Sequence, residues 1–141
     1  ALGWKVAWSD RMVSMFTSVL FFAWIWWPLL KRLPVISWKV LALFLLPMAL
    51  DGSTHMFSDL AGLHQGFRDS NAWLAALTGG AFAPGFYAGD AWGSFNSIMR
   101  LATGVLFGAG MVWYGFPYFA AFFEEQAAWI RSKFERANLP L

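Results

Sequence analysis

A chain of 141 residues that is 59% hydrophobic and 13% charged, with a mean hydropathy of +0.51, falls outside the composition of soluble domains and inside that of integral membrane proteins. A formal net charge of +2 supplies no basic footprint, which argues against nucleic acid as a partner. The absence of cysteine removes disulfides, thiolate metal ligands and cysteine nucleophiles together.

The opening residues, ALGWKVAWSDR, carry neither an initiator Met nor the basic-then-apolar order of a signal peptide. The chain is therefore expected to begin partway into a longer product. Met12 to Leu30 is then an uncharged run bracketed by Asp10, Arg11 and by Lys31, Arg32, which predicts a transmembrane helix over about 11–30, since roughly 20 residues cross a bilayer core. Trp24, Trp26 and Trp27 fall where an interfacial aromatic belt is expected. Ser14, Thr17 and Ser18 share one helical face suited to packing on protein.

Lys39 and Asp51 enclose only eleven apolar residues, Val40 to Leu50, too few to span. A second helix over 37–59 must carry polar residues into the membrane. At 1.5 Å per residue Asp51 lies roughly 18 Å, His55 about 24 Å and Asp59 about 30 Å from Lys39. Pro47 is expected to kink this helix and Gly52 to loosen its next turn.

The connection 60–95 is rich in Trp, Phe, Ala and Gly and poor in linker residues, which predicts an ordered cap. Asn71 is placed to N-cap a short helix, Ala72 to Leu77, ending at Gly79 and Gly80. A third spanning helix is predicted over 96–123, with Ser97, Gly104, Gly108 and Gly115 forming a narrow small-residue face for helix packing. The tail 124–141 sets Trp129, Ile130 and Phe134 among charges, the pattern of a helix lying on the membrane surface as far as Pro140. The fold class expected is an all-α integral membrane protein: three transmembrane helices, an ordered extracytoplasmic cap and a C-terminal interfacial helix, in one membrane domain. The basic loop Lys31, Arg32, Lys39 and the tail basic residues Arg131, Lys133 and Arg136 place those ends, including the C-terminus, in the cytoplasm, and residues 60–95 outside.

The stretches KVAWSDRMVSMFTS, LFLLPMALDGSTH, RDSNAWLAALTGG and NSIMRLATGVLFG, followed by GFPY, resemble a bacterial family of predicted membrane proteins known as domain of unknown function 2085. The resemblance covers most of residues 5–119. It implies a small polytopic protein of the bacterial cytoplasmic membrane and brings no assigned activity. The family's Asp-Gly maps onto Asp51 and Gly52, and its Asn and Arg near the last helix onto Asn96 and Arg100. Members typically carry cysteines at or before the stretch matching WSDR, and this chain has none.

Asp51, His55 and Asp59 follow i, i+4, i+8 spacing and project within about 80° of one another on a continuous helix. An intramembrane carboxylate is costly unless neutralised or paired. The first reading is a structural polar knot of Asp51, Arg11, Arg100 and His55, with Arg11 or Arg100 neutralising the carboxylate. The second is a divalent metal on Asp51, His55 and Asp59, with His64, Asp69 or Asp90 as further ligands. The third is a haem or chlorophyll on His55. Ser53 and Ser58 lie near His55, but no GxSxG accompanies them, so no enzyme is expected. The function expected is a non-catalytic membrane subunit, without cofactor, that meets lipid and other membrane subunits in a photosynthetic or respiratory complex. The alternative is a metal- or cofactor-binding membrane protein centred on Asp51, His55 and Asp59.

Overall fold

The computed structural model describes residues 9–62, 65–89 and 91–138. Three long helices, α1 (Asp10–Trp26), α2 (Trp38–Asp59) and α6 (Phe95–Arg136), carry the fold, with three short ones, α3 (Phe67–Ser70), α4 (Ala72–Thr78) and α5 (Pro84–Tyr87), between α2 and α6. A 3-10 turn, Leu30–Arg32, follows α1, and no strand occurs among the described residues. A serine opens each long helix. The hydroxyls of Ser9, Ser37 and Ser94 accept from the backbone N–H of Met12, Val40 and Ser97, satisfying donors that the first helical turn leaves free.

Contacts between named residues set the topology. Ser14 meets Leu101, Ser18 meets Gly104 and Trp26 meets Phe116, so α1 runs parallel to α6. His55 meets Arg100, Phe44 and Leu41 approach Gly110, and the Trp113 indole N–H donates to the Pro34 carbonyl, so α2 runs antiparallel to it. The bundle is up-down-up, with α1's N-terminus and the segment 60–94 at one end and the Lys31, Arg32, Lys39 connection at the other.

Small residues close the α1–α6 seam. A Cβ on Gly104 would lie 2.6 Å from Ser14 Oγ, and one on Gly108 would lie 2.8 Å from the Val19 nitrogen. Ser14 Oγ donates to the Leu101 carbonyl at 2.6 Å and Ser18 Oγ to the Gly104 carbonyl at 3.0 Å, bonds available only because the backbones approach so closely. Of the residues expected on the packing face, Ser97 donates from Oγ to Asp10 Oδ2 of α1 at 3.2 Å, Gly104 and Gly108 abut α1, and Gly115 does not. A Cβ there would meet only the Phe119 ring of its own helix, at 3.9 Å, because the seam has rotated to Phe116 by that height. Gly110 instead serves α2, where a Cβ would lie 2.8 Å from Phe44 Cβ.

Four large apolar side chains are buried among the described residues, against ten polar or charged ones, while phenylalanines, tryptophans and leucines cover the outside. That inversion suits a bundle solvated by lipid, where apolar surface gains nothing by leaving the solvent and polar groups gain by pairing. Two helices are long and apolar enough to cross a membrane, α2 with 22 residues and α6 with 42. The first helix, expected over 11–30, stops at Trp26 with 17 residues, about 26 Å of rise. Pro28 ends it, having no N–H to donate to Trp24 and a ring that opposes that carbonyl.

The expected boundary at 123 and the separate interfacial helix are also corrected: α6 continues unbroken to Arg136, with Pro117 inside it. Glu124 and Glu125 change the polarity of the helix without interrupting its backbone, because Ala120 to Arg136 is dominated by Ala, Glu, Gln, Lys and Arg, good helix formers. The 42 residues span about 63 Å, twice a hydrocarbon core.

The described residues between α2 and α6 are tied down by polar contacts. Gly66 abuts α2 so closely that a Cβ would lie 2.5 Å from the Ser58 carbonyl oxygen. Asn71 takes up φ 44° between α3 and α4, makes no side-chain cap, and donates from Nδ2 to the Tyr87 carbonyl at 3.1 Å. The short helix ends at Gly79 with φ 60°, as expected, and Gly80 follows at φ 70°. Tyr87 OH bonds Thr78 Oγ1 at 2.6 Å, and Ser94 Oγ donates to the Gly89 carbonyl at 3.0 Å.

Candidate functional site

Asp51 stands four turns into α2 and is only 4% exposed. Each carboxylate oxygen meets an arginine from a different element: Oδ2 accepts from Arg11 Nη2 of α1 at 2.5 Å, and Oδ1 from Arg68 Nη2 of α3 at 2.5 Å. Gly52 makes room for the first of these. A Cβ there would lie 3.1 Å from Arg11 Nη1, so the residue expected to loosen α2 is a seat for the guanidinium on an unbroken helix.

Arg68 is held from every side. Its backbone N–H donates to Ser58 Oγ at 2.9 Å, its carbonyl accepts from Asn96 Nδ2 at 2.7 Å, and its guanidinium lies 5.4 Å from the Phe95 ring. The same Nη2 that reaches Asp51 is 3.0 Å from His55 Nε2. His55 Nδ1 faces Arg100 Nη2 at 3.5 Å. Guanidinium groups only donate and a neutral imidazole accepts at one nitrogen, so the tautomer of His55 decides which of the two arginines it accepts from.

The structure brings Arg11, Asp51, His55 and Arg100 together and adds Arg68 to them. Arg11 neutralises Asp51 as expected, Arg100 reaches His55 instead of the carboxylate, and Arg68, unanticipated, supplies the second charge. Arg68 is the one Lys or Arg between Lys39 and Arg100, and that isolation beside a buried carboxylate was the available signal. Asp59 is exposed, a full two turns beyond Asp51, and no group of three His, Asp or Glu side chains among the described residues is close enough to hold a metal. Asp69 spends Oδ2 on the Gly66 N–H at 2.7 Å. His64 and Asp90 lie outside the described residues. Asp51 Oδ1 also stands 4.0 Å from His55 Nε2, and the two arginines on the carboxylate oppose a further cation there.

The family described as Predicted membrane protein (DUF2085) has a model that matches residues 1–88. This chain belongs to that family. The DUF2085 match takes in α1, α2 and most of the connecting segment, and with them Arg11, Asp51, Gly52, His55 and Arg68. It stops short of α6, so Asn96, Arg100 and the glycines of the helix seam lie beyond it. Comparison with curated proteins and with solved structures returned no match.

Proposed function

We propose that this DUF2085 member is a non-catalytic membrane subunit, three times spanning, that docks a helix of a partner membrane protein against the free part of α6. Trp26 packs on Phe116 with ring centroids 5.7 Å apart, and there α1 ends, while the face of α6 it occupied runs on through Ala120, Phe123, Ala127, Ile130 and Phe134. At 100° per residue these lie within about 40° of Phe116, at the 4-3 spacing by which one helix receives another. Phe123 is 65% exposed and Ile130 45%.

At the step where α1 stops, a groove of about 550 Å³ opens between Trp26, Trp27, Phe116, Phe119 and Phe123. The Trp26 indole N–H, buried beside it, has no hydrogen-bond partner. A partner helix extending the α1–α6 interface fills the groove and offers that donor an acceptor. The cluster around Asp51 is structural in this reading: one carboxylate ties α1, α2 and the connecting segment into a fixed register. The end bearing Lys31, Arg32, Lys39 and the basic residues of the α6 arm is assigned to the cytoplasm of a bacterial cell, and residues 60–95 form an extracytoplasmic cap.

Photo-crosslinking in native membranes tests this. A crosslinker at position 123 or 130 should yield one discrete heteromeric adduct that also co-purifies in mild detergent, and one at Tyr118, on the opposite face, should not. Chains that remain monomeric, or adducts equally frequent from 118 and 123, overturn the proposal.

A further inference from the structure

A second groove lies at the other end of the bundle and has a different character. Leu43, Leu46, Pro47, Leu50 and Thr54 of α2 form one wall and Met99 of α6 the other, with Asp51 and Arg68 at its head, enclosing about 340 Å³. The wall on α2 is three turns long, roughly 16 Å from residue 43 to residue 54. It lies within a helix long and apolar enough to span, so its lower part faces hydrocarbon, and from Thr54 at its upper end about 8 Å of helix rise remain to Asp59, near the headgroups.

Among the described residues, the hydrogen-bonded charges around that head do not balance. Two guanidinium groups, Arg11 and Arg68, bond the single carboxylate of Asp51. The Arg68 side chain is 8% exposed, its Nε–H and that of Arg11 are buried without a hydrogen-bond partner, and His55 beside it accepts from one arginine only. Buried donors of this kind are costly when unmet. Arginine is the side chain best matched to phosphate. We propose that the groove binds an acidic phospholipid, its phosphate on the Arg68 guanidinium and one acyl chain along Leu43, Leu46, Pro47 and Leu50. The phosphate chemistry alone would suit free inorganic phosphate; the apolar wall running from the arginine into the spanning part of α2 assigns the site to lipid. This rests on α2 crossing the bilayer and is independent of the partner docking on the α6 arm, which lies at the opposite end.

Native mass spectrometry of the full chain from micelles containing equimolar phosphatidylglycerol and phosphatidylcholine tests the site. One phosphatidylglycerol should be retained per chain, at least ten-fold over phosphatidylcholine. Leu46→Trp, which fills the groove without touching the ion cluster, should lower that retention at least ten-fold, whereas Ala42→Trp, outside the groove, should leave it unchanged. Arg68→Gln should abolish the preference; because that variant also disturbs folding, the Leu46→Trp result is the deciding one. Equal retention of the two lipids, or retention indifferent to Leu46→Trp, overturns the proposal. So does inorganic phosphate that raises the melting temperature in phosphatidylcholine micelles as much as phosphatidylglycerol does, since that identifies a free-anion site. A Leu46→Cys variant labelled in membranes by a water-soluble maleimide overturns the span itself and so separates failure of the embedding from failure of the site.

Discussion

Arg68 Nη2 and Asp51 Oδ1 meet at 2.5 Å across 17 positions of sequence, and this contact fastens the connecting segment to the middle of the bundle. With Arg11 on the other oxygen, three elements share one carboxylate. Asp51→Ala strands two guanidinium groups in a poorly hydrated site and should cost about 3–5 kcal/mol. Unfolding of the purified protein in detergent measures this, and a loss below about 1 kcal/mol would show that the carboxylate is not what holds the arginines. In a double-mutant cycle, Asp51→Asn with Arg68→Gln should lose less than the sum of the single variants.

Gly66 tests how tightly that segment is seated. Gly66→Ala forces a methyl group onto the Ser58 backbone and should destabilise by about 1–3 kcal/mol, the usual cost of overpacking, with faster proteolysis within 60–94. Gly85→Ala, where a Cβ meets nothing within 4 Å, is the matched control and should change the melting temperature little.

The α1–α6 seam makes a similar contrast. Gly108→Val pushes side-chain carbons into Ser18 and Val19 and should separate the helices, read as loss of a disulfide between cysteines introduced at Ser14 and Leu101. Gly115→Ala should preserve it, because nothing from another helix approaches that position.

On the α6 arm, Phe123→Ser and Ile130→Ser change exposed residues. Stability of the isolated chain should stay within about 0.5 kcal/mol while the crosslinked partner disappears. A large loss of stability in the isolated chain would mean that the stripe is covered within this chain, and not by a partner.

The natural absence of cysteine makes single introduced cysteines clean reporters of orientation. Ala81→Cys should react with an impermeant maleimide added to intact cells, and Leu33→Cys only after the membrane is opened. The reverse pattern would invert the assigned topology.

What was legible in the chain was what depends on local order and on composition. Apolar runs, the glycines after Thr78 and the Gly104–Gly108 step follow from backbone geometry and from the demands of hydrocarbon, and they placed two spans, a hydrogen-bonded connection and the small-residue seam close to where they stand. The shortness of Val40 to Leu50 likewise required Asp51 to be inside and paired, since a carboxylate there is intolerable alone. Two local errors had local causes: Pro28 ended α1 before the apolar run did, and a change of polarity at Glu124 was not a change of backbone in α6.

Tertiary structure alone decided which cations Asp51 takes. Arg11, Arg68 and Arg100 are all within reach of a helix end in one dimension, and nothing in their spacing ranks them. The ranking comes from Gly66 lying against Ser58, which carries Arg68 to the carboxylate, and from Gly52, which opens a seat for Arg11, leaving Arg100 beside His55. Sequence determines that a buried charge needs a partner; the approach of backbones distant in sequence determines which partner arrives, because a hydrogen bond is made or lost within about half an ångström.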